Sequence, residues 1–99
     1  MDYKEYNTIK NCITLDDYDT MLHMIGYETH SVKRGKYKAY RNHYVMMDTK
    51  QDIEGFAKME SFKLVKVSWA SDTQVCMIVT EKGLDFIGLR ENCKITMMK

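Results

Sequence analysis

The sequence predicts one small α+β domain, and three observations carry that prediction. Apolar and polar residues alternate on both sides of a short polar loop between Phe62 and Val79, as in two half-buried strands of a hairpin. Three other stretches have apolar residues at helical spacing behind a capping residue. The chain has 99 residues and no proline, with 44% hydrophobic and 29% charged residues, which is typical of a single globular domain over 1–99.

The first helix is predicted to begin at Thr14 and to end at Gly26. Thr14 is a good N-cap, acidic residues follow at the positive end of the helix dipole, and Gly26 is suited to a C-cap. Residues 1–13 show no clear period, and we expect them to form a flexible arm that frays or lies across the core. The apolar positions of the helix are Leu15, Tyr18, Leu22 and Ile25.

A second helix is predicted after a basic segment. Residues 27–47 begin as a basic loop around Gly35, and the aromatic and β-branched residues over 37–46 are compatible with a strand, a helical turn or a loop. Asp48-Thr49 then supplies a helix cap. The apolar side of this helix is formed by Ile53, Phe56 and Ala57.

The hairpin leads directly into a last helix. In its first strand Val65, Val67 and Trp69 share one face, and the second strand runs to Val79. Thr80-Glu81 begins the helix. The apolar side of that helix is Leu84, Phe86, Ile87 and Leu89, and the tail 93–99 is expected to add a strand or to fray as a flexible tail.

Composition excludes several classes of protein. No apolar run approaches the ~18 residues of a membrane span, and the amino terminus has no signal-peptide pattern, so we expect an intracellular, cytoplasmic protein without a membrane partner. Three widely spaced cysteines argue against a disulfide framework or a zinc ribbon. The histidines match no metal-ligand spacing, and there is no phosphate-binding glycine loop or nucleophile elbow. We therefore expect no enzymatic activity, cofactor or metal.

Charge is concentrated in one segment. Residues 1–27 carry two lysines and five acids, whereas residues 29–47 carry five cations and no acid. Cations interleaved with tyrosines are suited to neutralising phosphates while rings stack on bases. The alternatives are a solvated loop that balances the acidic start of the first helix, or a surface for an acidic protein. The candidate binding residues are Lys33, Arg34, Lys36, Tyr37, Lys38, Tyr40, Arg41 and Asn42.

Two details of the candidate region stay open at this point. Arg41 is suited to a phosphate or guanine edge and Asn42 to an adenine, but the pair is equally suited to pinning a loop onto the core, with Arg41 on an acid of the first helix. The hairpin loop contains Asp72 and no cation, which disfavours phosphate contact there.

The chain resembles a family of small phage- and prophage-encoded proteins. The resemblance covers roughly residues 14–90 and has its most specific part in the Tyr-Arg-Asn run, although Ser61-Phe62 stands where the family has Gly-Leu. The hairpin and its Thr-Glu-x-Gly helix start also resemble the wing and last helix of winged-helix domains. Neither resemblance implies a catalytic residue. The matching runs are Leu22-His23-Met24-Ile25-Gly26, Tyr40-Arg41-Asn42-His43-Tyr44 and Thr80-Glu81-Lys82-Gly83.

Together these features predict a winged-helix-like α+β domain of phage or mobile-element origin. We expect it to bind nucleic acid through the basic segment, without catalysis and as a small regulator. The alternative function is a protein-interaction module that binds and inhibits a host protein. In that case the same basic segment contacts an acidic surface of the host protein. The sequence does not indicate an oligomeric state.

Overall fold

A computed structural model of the protein describes residues 1–46 and 50–97. The described part is a mixed α+β fold, as predicted, with helices on both sides of the hairpin in the chain. Its helices are α1 (Tyr3–Cys12), α2 (Leu15–Met24), α3 (Lys50–Ser61) and α4 (Glu81–Glu91), with a short 3₁₀ helix over Thr29–Ser31. Its strands are β1 (Lys36–Ala39), β2 (Tyr44–Met46), β3 (Val65–Ala70), β4 (Val75–Val79) and β5 (Lys94–Met97).

The strands form two separate sheets. The predicted hairpin is confirmed as β3 and β4, and β2 joins it on the other side of β4, giving an antiparallel sheet in the order β2-β4-β3. The second sheet is the parallel pair of β1 and β5, which come from distant parts of the chain. Residues 37–46 therefore contain parts of two strands that belong to different sheets.

The predicted caps of the first and last helices are confirmed. The Thr14 hydroxyl accepts from the Asp17 amide, and the Asp17 carboxylate accepts from the Thr14 amide, so α2 begins with a capping box. Thr80 caps α4 in the same way by accepting from the Gly83 amide. Gly26 follows the last turn of α2 with φ +64°, a left-handed conformation that favours glycine. The predicted cap Asp48-Thr49 lies outside the described residues.

The hydrophobic core joins all four helices to both sheets. Helix α4 contributes the fully buried Phe86 and Ile87, and α2 and α3 contribute buried methionines to the same core. The α4 positions predicted to be apolar are buried, apart from Leu89, which is exposed. In α2 the exposed Leu15 is likewise a wrong core prediction, and the helix instead buries Met21 and Met24.

The amino-terminal arm contains a helix that the sequence pattern did not indicate. Asp2 caps α1 by accepting from the Glu5 amide, and Ile9 and Ile13 are buried in the core. The period was hard to recognise because one residue of this helix, Ile9, is fully buried among polar neighbours.

The position of Trp69 is a second correction. A β-bulge shifts the register between Val67 and Trp69, so that Val67 pairs with Met77 while Trp69 pairs with Cys76. Because Met77 and Cys76 are adjacent, they face opposite sides of the sheet, and so do their partners. The expected common face of Val67 and Trp69 is therefore wrong, and the Trp69 ring is 47% exposed.

Candidate nucleic-acid interface

A tight turn presents the basic segment. Arg34 and Gly35 both have positive φ, 54° and 73°, and Lys33 and Lys36 exchange backbone hydrogen bonds across them. This is the geometry of the turns that close two-residue hairpin loops. After the turn, the chain runs directly into β1.

Strand β1 separates the candidate residues by its alternation. Lys36 and Lys38 are exposed on one face, whereas Tyr37 and Ala39 point into the core. Tyr40 follows the strand and is exposed. The strand therefore places two lysines about 6.7 Å apart along one surface.

Strand β5 adds a cation that sequence reasoning missed. In the parallel register Lys94 lies beside Lys36, and the Lys94 amide donates to the Gly35 carbonyl at 2.8 Å. Lys36 and Lys94 are far apart in sequence. The one sequence feature that pointed to their pairing was the expectation that the tail adds a strand. The structure thus builds one surface, hereafter the basic face, from Lys33, Arg34, Lys36, Lys38 and Lys94.

No cation of the basic face forms an ion pair with an acidic side chain that the structure describes. The ion pairs among the described side chains join Lys58 to Asp17, Lys82 to Glu5, and His30 to Glu28. All five side chains of the basic face are exposed. Asp17, one of the acids at the start of α2, pairs with Lys58 and not with a cation of the basic face.

A cleft of about 690 Å³ lies beside the basic face. Its volume falls within the range of small-molecule sites. Its lining includes Lys33, Lys36 and Lys38, together with residues of the 3₁₀ helix and the residue before it, Glu28. Tyr40 also lines the cleft.

Three of the predicted binding residues make hydrogen bonds within the fold. Tyr37 is 2% exposed and its hydroxyl donates to the Gly26 carbonyl. Arg41 Nη2 donates to the His23 carbonyl at 2.8 Å, at the negative end of the α2 dipole. The Asn42 amide donates to the Val79 carbonyl and accepts from the Val79 amide, both at 2.8 Å. We call these three residues, Tyr37, Arg41 and Asn42, the latch.

The latch joins the runs that carry the family resemblance. Arg41 and Tyr37 bind the end of the Leu22–Gly26 run, and the His43 amide donates to the Met24 carbonyl at 3.1 Å. Asn42 binds Val79, directly before the Thr80–Gly83 run. The motif residues are therefore neighbours in space, and the expected pairing of Arg41 with an acid of α2 is not formed.

Burial of the latch tyrosine changes its titration. Desolvation raises the pKa of Tyr37, and the nearby Glu28 carboxylate raises it further. Tyr27, whose ring meets that of Tyr37 edge to face with centroids 4.9 Å apart, has its pKa raised to about 12, first by desolvation and then by Cys93. Both phenols therefore remain neutral at physiological pH.

Among the residues that the structure describes there is neither a metal cluster nor a membrane-spanning helix. The hairpin tip carries Asp72 and is exposed, and the described residues contain no group of three or more His, Cys, Asp or Glu side chains placed to hold a metal. Over the same residues no helix is both long enough and apolar enough to span a bilayer.

Comparisons of the chain with family models, curated proteins and solved structures find no match. The basic face must therefore be understood from its own chemistry.

Proposed function

We propose that this chain is a small, non-enzymatic phage or mobile-element protein that binds nucleic acid through the basic face, in the cytoplasm of its host and as a regulator. The observation that carries the proposal is the convergence of five exposed cations on one surface, where no described acid pairs with them. Phosphate contacts with lysine and arginine release condensed counterions, which supplies much of the affinity of proteins for nucleic acids.

The local arrangement matters more than the total charge. The formal net charge of the chain is only +1, so attraction over long distances is weak. Salt at 0.1 M screens exposed charges that are farther than about 10 Å, so a ligand at the basic face interacts mainly with the charges close to it. Such a surface favours a polyanion with regularly spaced charges.

A winged-helix-like interpretation is supported by the order of elements. Apart from the 3₁₀ helix and β1, which lie between α2 and β2, the chain runs from helix α2 through strand β2, helix α3 and the β3–β4 hairpin to helix α4, and β2, β3 and β4 form a three-stranded antiparallel sheet. The proposed interface, however, lies on β1 and β5, outside that sheet. The hairpin loop has an aspartate and no cation, so we propose that it does not contact phosphate.

The proposal is tested by a fluorescence-anisotropy titration of labelled single-stranded and duplex DNA at several salt concentrations. If all five cations of the basic face contact phosphates, log K falls against log salt with a slope of about −3.5 for a single strand and about −4.5 for a duplex. Alanine at Lys36, Lys38 and Lys94 then reduces the magnitude of this slope by about 2 to 3 and weakens binding to both ligands.

A matched variant controls for the loss of charge. Alanine at Lys4, Lys10 and Lys66 also removes three positive charges, but from exposed positions on α1 and β3. This variant is expected to keep most of the affinity. Equal losses in the two variants would contradict a localised interface. Absence of binding by the wild-type chain at low salt would favour the alternative function, in which the basic face contacts an acidic surface of a host protein.

A further inference from the structure

Phosphate binding leaves two residues of the cleft unexplained. Tyr40 contributes an exposed aromatic ring, and Glu28 contributes the one carboxylate among the described residues that line the cleft. A carboxylate repels phosphate, so its position in the cleft suits a hydrogen-bond donor rather than a second anion. The two side chains therefore point to a part of the ligand other than its backbone.

The Tyr40 ring is both held and accessible. Its hydroxyl end lies so close to Gly26 that a Cβ atom there would stand 2.7 Å from the ring, and the Arg41 guanidinium lies 5.6 Å from the ring centroid. The side chain is nevertheless 57% exposed. An aromatic ring that is packed at one end loses less conformational entropy than a free ring when a flat ligand stacks on it.

The Glu28 carboxylate has one oxygen available. Its Oε2 atom lies 3.3 Å from His30 Nε2 and accepts from the Ser31 hydroxyl at 3.4 Å. No hydrogen bond reaches Oε1 from any residue that the structure describes. Every unpaired nucleobase presents at least one N–H group on its pairing edge, whereas a duplex uses those groups for pairing.

We infer that the cleft receives an unpaired nucleobase, which stacks on Tyr40 and donates a hydrogen bond to Glu28 while the basic face holds the adjacent phosphates. The protein then selects single-stranded over duplex nucleic acid. Because each base has a stacking face and a donor, selection for sequence is weak. This inference depends on the proposed function, which requires only that the basic face binds phosphates.

The decisive comparison uses a labelled strand without self-complementarity and the duplex that the same strand forms with its complement. The wild-type chain is expected to prefer the single strand, and Tyr40→Leu to weaken single-strand binding on the order of tenfold while leaving duplex binding unchanged. Tyr40→Phe keeps the ring and is expected to retain the preference. Trp69→Leu removes an exposed aromatic side chain from the other sheet and is expected to change neither affinity.

A fluorescence measurement tests stacking independently of lost affinity. In a Trp69→Phe background the chain has no tryptophan, and Tyr40→Trp then places the one indole in the cleft. Stacking of a base is expected to quench its emission with the single strand, whereas the duplex leaves the emission unchanged. Quenching that is equal with both ligands, or absent with both, would overturn the inference.

Glu28→Gln separates base recognition from charge. Loss of the negative charge is expected to strengthen duplex binding slightly and to narrow the preference for the single strand. If the preference were unchanged in Glu28→Gln and in Tyr40→Leu, the inference would fail while the proposed function stood. A wild-type chain that binds neither ligand at low salt would contradict both.

Discussion

The latch and all of the basic face except Lys94 lie between Lys33 and Asn42 in the sequence, but the structure uses their polar groups in opposite ways. In the latch, the side chains of Arg41 and Asn42 form hydrogen bonds with backbone atoms of α2 and β4. In the basic face, Lys36 and Lys38 are exposed and have no ionic partner among the described residues. Residue type alone does not separate the two groups, whereas the presence of an internal partner does. The latch should therefore govern stability and the basic face should govern binding.

Asn42→Ala is expected to produce the largest loss of stability. It leaves the Val79 amide and carbonyl without their partner in a partly buried position, and unsatisfied groups of this kind cost about 1–3 kcal/mol each. We expect about 2–4 kcal/mol in the free energy of unfolding, measured by urea denaturation. Asn11→Ala, at an exposed position of α1, is the matched control and should change stability little. If Asn42→Ala changed the free energy of unfolding only slightly, the hydrogen bonds of Asn42 with Val79 would not be needed to keep β2 paired with β4.

The Tyr37 hydroxyl is expected to contribute about 1 kcal/mol, which Tyr37→Phe would remove. Tyr37 also makes stability depend on alkaline pH. Because its pKa is raised in the folded state, the unfolded chain loses the phenol proton first. The contribution of neutral Tyr37 to the free energy of unfolding is complete below about pH 10, the ordinary pKa of tyrosine. It is lost as the pH rises above that value.

The alkaline loss can be assigned by comparing variants. Tyr27 should continue the decline up to pH about 12, where its own folded-state pKa lies. Tyr37→Phe should have a shallower decline than the wild-type chain when unfolding is followed at pH 9 to 11. An identical slope in the two proteins would show that Tyr37 titrates normally in the folded state.

The distinction between the two regions was only partly accessible from the sequence. Helix caps at Thr14 and Thr80 and the two strands of the hairpin depend on neighbouring residues, so local patterns predicted them correctly, although they did not predict the bulge before Trp69. The pairing of β1 with β5 joins segments almost sixty residues apart, and no local pattern contains that information. For this reason Lys94 was missed, and Tyr37, Arg41 and Asn42 were included among the candidates although their partners lie elsewhere in the chain.

Arginine provides a matched pair across the two regions. Arg41→Ala removes a hydrogen bond to the end of α2 and is expected to cost about 1 kcal/mol of stability. Arg34→Ala removes an exposed arginine from the turn and should change stability by less than about 0.5 kcal/mol while weakening nucleic-acid binding. Thermal unfolding and anisotropy measured on both variants test the contrast. The reverse pattern, with Arg34 stabilising and Arg41 binding, would exchange the roles of the two regions.

Lys94→Ala is expected to have the smallest effect on stability and the opposite sign. Lys94 and Lys36 are neighbours in the parallel register, and like charges side by side on adjacent strands repel each other. Removing one of them should stabilise the fold by a few tenths of a kcal/mol at low salt, and screening should abolish the gain near 1 M salt. The same change should weaken nucleic-acid binding, because the phosphate that relieves the repulsion loses a partner. Lys10→Ala, on α1, should show neither the salt-dependent gain nor the weaker binding. If Lys94→Ala destabilised the fold at low salt, Lys94 would have an internal partner and would belong with the latch rather than with the basic face.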